Sequence, residues 1–527
     1  MGIFRYFYWH FTTYPDSVVP VREGQTVPGL HLFAIDLNAL FHPVCQRYFF
    51  ETPGQKTMEG CYREICLEIE RVVAYVRPSE ELILSIDGVA GLSKVNQQRQ
   101  RRYKSAREKS EAVRAVFDSN HITVGTAFMA GLSAAIRTHF SSSRPYRTVF
   151  LDETMAGEGE HKIVRYLERA GKKRMCVYSP DADLLMLGIG LRRKNVFIFR
   201  PNMYQDLDCA YFMVSIDKFK RSVVKMVDPK GVYADQEEEI VDDFVFLLFF
   251  LGNDFLPHSP SYEIKYGGIN TILDLYRTSV LEQKRRLVYS GSAPSGSSGS
   301  SGSDSSSPSA PRYEIDVGSL QEVLGALARA EGRMITENYK RFRGFPNRLL
   351  EKYISRLDTA FPAYRTEYYA RHFPEVPVRK ICEEYVRGLC FVGTYYHIGM
   401  PDWRYAYPYH HGPFFHELSE YVGTLSCARI SAEFERNEPL RPLEQLLCVL
   451  PFESRAAIPK ALHAYYTHPE FKDMFPKEFE IELDGCHNDY EGIVLLPPIR
   501  ADAIRRAVGE TEGAWTEAER RRNMHTW

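Results

Sequence analysis

ELILSIDGVAGLSKVNQQRQRRYKSAREK, residues 81–109, decides the fold class. It opens as a short apolar run, breaks at Asp87 and the glycines Gly88 and Gly91, and continues as a charged helical pattern. A strand that ends in an acid and hands over to a helix is a building unit of parallel α/β sheets. Outward from it lie four more such runs, LHLFAI (30–35), RTVFL (147–151), RMCVYS (174–179) and NVFIF (195–199), alternating with helical patterns and without an internal repeat. They predict an α/β domain with a largely parallel sheet.

GSAPSGSSGSSGSDSSSPSAP, from Gly291 to Pro311, holds no residue able to build a core. It reads as a flexible linker, whose ~20 residues have a relaxed span of roughly 25 Å. The expected organisation is therefore a domain over 1–290, a linker over 291–311 and a second region over 312–527. In that region VRKICEEYVRGLCFVGTYYHI (378–398) and LSCARISAEFERN (425–437) predict helices, and PDWRYAYPYHHGPFFHEL (401–418) between them predicts irregular chain.

At 527 residues the chain exceeds what one core usually organises. With 66 Lys and Arg against 68 Asp and Glu it is no polycation, so partners must be read from local charge. The ten cysteines form no CxxC pair, which points to reduced thiols rather than a disulfide framework or a zinc ribbon. No apolar run is long enough to span a bilayer, the aromatic start does not read as a secretory signal, and Tyr6 breaks the myristoylation pattern. A soluble protein of the cell interior, without a membrane partner, is expected.

Acids stand where the predicted strands end: Asp36 in AIDLN, Asp87 in LSIDG, and Asp181 and Asp183 in VYSPDADLL. The carboxyl ends of strands form the ligand crevice of open α/β sheets. Glu158 and Glu160 in AGEGEHK and Asp254 in LGNDFLPH sit in contexts able to aim into the same crevice. Any one aspartate after a strand is more often a helix cap or a solvated turn residue. Seven that converge need cations, because two like charges ~4 Å apart repel by about 4 kcal/mol at an effective dielectric near 20. All-oxygen donors favour Mg²⁺ or Mn²⁺, and two such ions roughly 3.5–4 Å apart suit phosphodiester cleavage.

Lys94, Gln98, Arg101 and Arg102 fall at i, i+4, i+7 and i+8, one stripe of a helix that starts seven residues after Asp87. A Lys/Arg-rich helix is usually a solvated face. Beside a metal crevice the same stripe suits a terminal monophosphate, since arginine forks bind phosphate bidentately and lysine adds a compact charge.

Taken together, MGIFRYFYWHFTTYP, AIDLNALFH, SIDGVAGLSKVNQQRQRRYKSA, FDSNHITVGTAFM, GEGEHKI, PDADLLMLG, LGNDFLPHSP, PDWRYAYPYHHGP, LEQLLCVLP, FPKEFEIELDG and ERRRN resemble the XRN family of 5′→3′ exoribonucleases. The resemblance implies a PIN-like, flap-nuclease-like core with a helix-rich second region packed around the active site. It implies catalytic acids or metal ligands at Asp36, Asp87, Glu158, Glu160, Asp181, Asp183 and Asp254, holding two Mg²⁺ ions with Mn²⁺ able to substitute. It further implies a 5′-monophosphate pocket from Lys94, Gln98, Arg101 and Arg102, and base stacking on His42 and on Trp403 or Tyr405. Phe4 stands where the family has proline, Gly91 where it usually has proline, and WRYAY where it often has WxWYY. The absence of a CCHC knuckle and the stop at Trp527 read as a minimal catalytic core, cytoplasmic with a nuclear location as the alternative; a monomer acting on single-stranded RNA is expected, with decapping or RNA-decay proteins as candidate partners. A flap or DNA exonuclease on the same core is the second reading; a binding-only scaffold would require lost acids.

Overall fold

The computed structural model describes residues 6–203, 208–291 and 312–526. Its strands are β1 (Val18–Val21), β2 (Leu32–Asp36), β3 (Glu81–Ser85), β4 (Arg147–Leu151), β5 (Met175–Tyr178), β6 (Val196–Pro201), β7 (Tyr211–Ser215), β8 (Val288–Gly291), β9 (Arg312–Asp316), β10 (Arg429–Ile430), β11 (Glu480–Glu482) and β12 (Ile493–Leu495). The helices that bear on the site are α1 (Asn38–Gln46), α2 (Leu92–Glu108), α3 (Gly159–Glu168), α4 (Asp183–Gly190), α5 (Glu237–Leu248), α6 (Val317–Arg341), α7 (Leu357–His372), α8 (Val378–His397) and α9 (Pro442–Val449).

The first seven strands form one sheet in the order β1-β7-β6-β5-β2-β3-β4. The five runs read as strands are its parallel part, from β6 through β4. Alternate side chains of these strands enter two cores: Leu32, Ala34, Ile83 and Val177 on one face, Phe33, Ile35, Leu84 and Cys176 on the other. Cover on both faces is why the strands read as unbroken apolar runs. The antiparallel edge, β7 on β6 and β1 on β7, was not legible in the sequence. Pro20 fits the outermost strand, where one side needs no ladder donor.

From β2 the chain proceeds outward through β3 and β4 on one side and through β5 and β6 on the other. The direction of winding therefore reverses between β2 and β5, and such a switch point opens a crevice beyond the carboxyl ends of the strands. The ends are level, with Asp36 in register with Ser85, Ser85 with Leu151, and Ile35 with Tyr178.

β8 and β9 pair antiparallel, with Gly291 opposite Arg312. The segment anticipated as a linker lies outside the described residues except at Gly291, so the chain on its two sides is joined directly by a strand pair. One core continues from the sheet into the second half through Ile315, Leu320, Leu389 and Phe415. α2 packs through Val95 on Leu443, Leu446 and Ile504.

α8 is the helix expected over 378–398. The expected helix over 425–437 is not formed; apart from β10 this stretch is irregular. Tertiary contacts outweigh its helical pattern: Ala428 O accepts from Val317 N, Phe434 packs on Phe391 and Tyr405, and Asn437 Oδ1 accepts from Trp403 N. The stretch 401–414 is irregular as expected, before a helix at Phe415–Gly423. Among the described residues no helix is long and apolar enough to cross a membrane, and all ten cysteines are free thiols.

Candidate active site

The sheet brings the acids of β2, β3 and β5 to one edge. Asp36 is the last residue of β2, Asp87 follows β3, and Asp181 and Asp183 follow β5, with Asp183 opening α4. α3 begins at this edge with Glu158 just before it and Glu160 in its first turn. Gly159 lets the elements meet: a Cβ there would stand 3.1 Å from Asp36 Oδ1 and 3.3 Å from Asp87 Oδ1, so both carboxylates crowd one backbone point. Asp87 Oδ1 accepts the Gly159 N–H at 2.7 Å, and the Asp87 N–H donates to Asn38 Oδ1 at 2.9 Å. Asp254 arrives from the turn after α5, where Gly252 takes φ +84° and any Cβ would strike His258.

Burial and mutual repulsion dominate here. Asp36, Glu158, Glu160 and Asp183 are all buried. Desolvation, then the charges of Asp87 and Asp181, push the Asp36 carboxyl well above its ordinary pKa. Glu160 is raised in the same way by burial, Glu158 and Asp183. Asp183 is pushed up to about 7 by burial and by Asp254, and Asp87 is raised by burial and Glu158. Among the described residues Asp36 Oδ1 and Asp183 Oδ1 are buried without a hydrogen-bond partner, a costly condition for a carboxylate unless a cation meets it. The seven predicted acids thus form one electrostatic group.

Lys94 is the internal counter-ion of that group. Its ammonium lies against Glu158 Oε2 and 2.7 Å from Asp254 Oδ2, so the residue expected in the 5′-monophosphate pocket is held by acids of the adjoining crevice. Its pull, added to that of other neighbours, more than offsets desolvation and holds Glu158 and Asp254 below their ordinary pKa. Of the other residues of the predicted stripe, Arg101 and Arg102 adjoin the basin. Arg102 Nε donates to Thr123 Oγ1 at 2.9 Å, Gln98 Oε1 accepts from Gln445 of α9 at 3.3 Å, and Arg101 is exposed with no hydrogen bond or ion pair among the described residues. Arg101 acts on Asp254, and Arg102 on Asp87, through space.

Much of the other charge on α2 has a structural use. Arg99 donates to Pro497 O and Met474 O, Lys104 to Asp489 O, and Arg107 to Phe479 O, which fastens the second half onto this helix.

His42, on α1, is solvent-accessible yet ringed by Arg102, Arg101 and Lys109; desolvation followed by these charges pushes its pKa down to about 4. Of the two candidate stacking rings in the second half, Tyr405 is buried against Phe391 at 4.7 Å and Phe434 at 5.5 Å, which leaves only Trp403 partly exposed. Trp403 borders a cleft with Met400, Lys162, Arg165 and Asn437, and none of these is a neighbour of His42 noted above.

Several contributors went unread in the sequence. Tyr395 of α8 donates its hydroxyl to Glu158 Oε1, Gln97 donates to Asp254 Oδ1 at 2.9 Å, and Ser179 Oγ donates to Asp36 Oδ2 at 3.3 Å. Lys162 ties Ile86 O to Asp152 O beneath Asp87. Helical spacing alone gives no signal for a tyrosine that reaches the basin from another half of the chain.

Two family models match: one described as XRN 5'-3' exonuclease N-terminus over residues 1–202, and one described as Xrn1 helical domain over 234–300 and 356–526. The chain is similar to the 5'-3' exoribonuclease 2 of Arabidopsis thaliana, 25% identical across 96% of this chain and 65% of that protein. It is 26% identical to a 5'-3' exoribonuclease 2 homolog of Drosophila melanogaster, across 99% of this chain and 72% of that one. It is also 26% identical to human 5'-3' exoribonuclease 1, across 100% of this chain and 35% of that protein. The chain therefore spans 65% of the Arabidopsis relative's length and 35% of the human one's. Among solved structures, the catalytic core of Rad2 in complex with DNA substrate matches at 14% identity and a TM-score of 0.33, covering 70% of this chain and 86% of that one, a likeness too weak to carry any inference.

Proposed function

Because the chain belongs to the XRN family of 5′-3′ exonucleases, we propose that it is a 5′→3′ exoribonuclease that hydrolyses single-stranded RNA bearing a 5′-monophosphate and releases nucleoside 5′-monophosphates. The observation that carries this reading is the adjacency of opposite charges: seven acids at the switch point, with Arg101 and Arg102 beside them on α2.

The donor set suits a hard divalent cation, because it is all carboxylate and two of its buried oxygens, on Asp36 and Asp183, have no partner among the described residues. Asp36, Asp87, Glu158, Glu160, Asp181, Asp183 and Asp254 are the residues that would hold two Mg²⁺ ions, or Mn²⁺ in their place. The chemistry supplied when such ions are bound is activation of water and stabilisation of the leaving oxygen.

The chain's own groups do the rest. Lys94 keeps Glu158 and Asp254 ionised and close together, and Tyr395 orients Glu158. Arg101, unpaired among the described residues, receives the terminal phosphate against Arg102 and Gln98, which fixes the distance from the 5′ end to the scissile bond. His42 remains a neutral ring at physiological pH and can stack under any terminal base, an interaction worth ~1–3 kcal/mol that does not select sequence. Each turnover leaves a new 5′-monophosphate, so the product end is the next substrate end, which is what processive action requires.

The test compares matched RNAs with 5′-monophosphate, 5′-hydroxyl and capped ends, alongside a 5′-monophosphate DNA strand. The monophosphate RNA is expected to be degraded at least tenfold faster than the other two RNAs. Equal rates on all three would refute the phosphate pocket, and faster cleavage of the DNA would favour the DNA-exonuclease reading.

A further inference from the structure

A second donor cluster stands apart from the acidic crevice, at the junction of three segments of the second half. His372 is the last residue of α7, His411 lies in the irregular stretch 401–414, and Glu482 ends β11. One donor atom from each side chain lies within 4.8 Å of the other two, the one such His, Cys, Asp or Glu group found among the described residues. His411 Nε2 is 2.8 Å from Glu482 Oε2, His372 Nδ1 is 3.8 Å from Glu482 Oε1, and the two imidazoles stand 4.0 Å apart between centroids, tilted by 40°. The three side chains are only 12%, 14% and 7% exposed, so water screens them poorly.

We propose that His372, His411 and Glu482 form a binding site for a borderline divalent transition cation, zinc in the first instance, independent of the crevice at the sheet edge. Two imidazole nitrogens and one carboxylate oxygen, with water as a fourth ligand, are a donor set zinc accepts in tetrahedral geometry. Zinc bonds of roughly 2.0–2.2 Å place tetrahedral donors about 3.4 Å apart, so closure needs about an ångström of side-chain rotation from the present positions. The crevice is all oxygen and suits hard Mg²⁺, whereas imidazole nitrogen selects the later first-row metals.

A simple His411–Glu482 hydrogen bond accounts for only two of the three groups. His372 is left at 3.8 Å from the carboxylate, too far to hydrogen-bond, with its ring against that of His411. Arg371 approaches Glu482 Oε1 at 3.4 Å, but it also pairs with Asp484 at 3.0 Å, which offsets its charge and leaves it as a clamp on the proposed ligand. Occupancy would tie α7 and β11 to the stretch whose other end caps α2, where Trp403 O accepts from Leu92 N and Tyr405 O from Ser93 N.

The test uses the full chain, stripped with a chelator and then held in excess Mg²⁺ so that hard-cation sites are filled. Calorimetric titration with Zn²⁺ is expected to show one equivalent bound, at least tenfold weaker in a His372→Ala/His411→Ala double variant, and Zn²⁺ is expected to raise the thermal midpoint of the unmodified protein but not of that variant. Co²⁺ added to the unmodified protein is expected to give the intense visible bands of a tetrahedral nitrogen-containing site, a readout that stands even where the variant fails to fold. No Zn²⁺ binding beyond that of the double variant, or a weak octahedral Co²⁺ spectrum, would overturn the proposal.

Discussion

Two kinds of buried carboxylate occur in this protein. Glu331 of α6 accepts hydrogen bonds from Ser261 Oγ, Phe415 N and His416 N, and Asp243 of α5 accepts from Tyr276 OH, Leu287 N and Val288 N. Both are single carboxyl groups surrounded by donors. Asp36 and Asp183 are equally buried, yet each keeps an oxygen without a donor and faces other acids. Saturated carboxylates hold segments together; crowded, unsaturated ones leave room for something positive. The difference separates a staple from a site without reference to any relative.

Replacing Asp183 by alanine should break the comparison most severely. Turnover of 5′-monophosphate RNA is expected to fall at least 1,000-fold, about 4 kcal/mol of barrier. Without divalent cations the variant's thermal midpoint should stay level or rise, because one member of a repelling group has gone. A drop in the midpoint of the cation-free protein would make Asp183 a staple like Glu331.

Glu331→Ala should do the reverse, with a loss of about 2–4 kcal/mol in denaturant unfolding, since three donors are left buried without an acceptor, and with little change in specific activity of the folded fraction. The unmodified residue also predicts a pH trend. Burial raises the Glu331 carboxyl from 4.5 to about 8, so the native state keeps a proton that the unfolded chain gives up. Its contribution to stability is fully present below about 4.5, declines as pH rises toward about 8, and is level above that. Unfolding curves across this window for the unmodified protein and Glu331→Gln should diverge in slope; parallel curves would argue against the assignment.

The smallest effect sharpens the cationic side of the crevice. Arg101→Ala removes an exposed guanidinium without a partner among the described residues, so stability should be unchanged while kcat/KM on 5′-monophosphate RNA falls about tenfold, near 1.4 kcal/mol. An equal fall on 5′-hydroxyl RNA would mean that Arg101 attracts the RNA backbone rather than its end.

The sequence was informative where structure is local. Five apolar runs mark the parallel strands, and the acids that close three of them, at Asp36, Asp87 and Asp181, must meet once those strands lie level. Lys94 was harder, because helical spacing gives the face a residue occupies but not what stands opposite, and opposite it are Glu158 and Asp254. Tyr395 and Gln97 were hidden for the same reason. Residues 425–437 carry a helical pattern that contacts with Tyr405, Trp403 and Val317 override. His372, His411 and Glu482 lie on three separate segments, so no motif could announce them.

The most direct test of the crevice is the rate of nucleoside 5′-monophosphate release from 5′-monophosphate RNA as Mg²⁺ is titrated into chelator-treated protein. No release without the cation and a steep, saturable rise with it are predicted. Full activity in the presence of excess chelator would contradict the reading of Asp36, Asp183 and their neighbours as cation ligands.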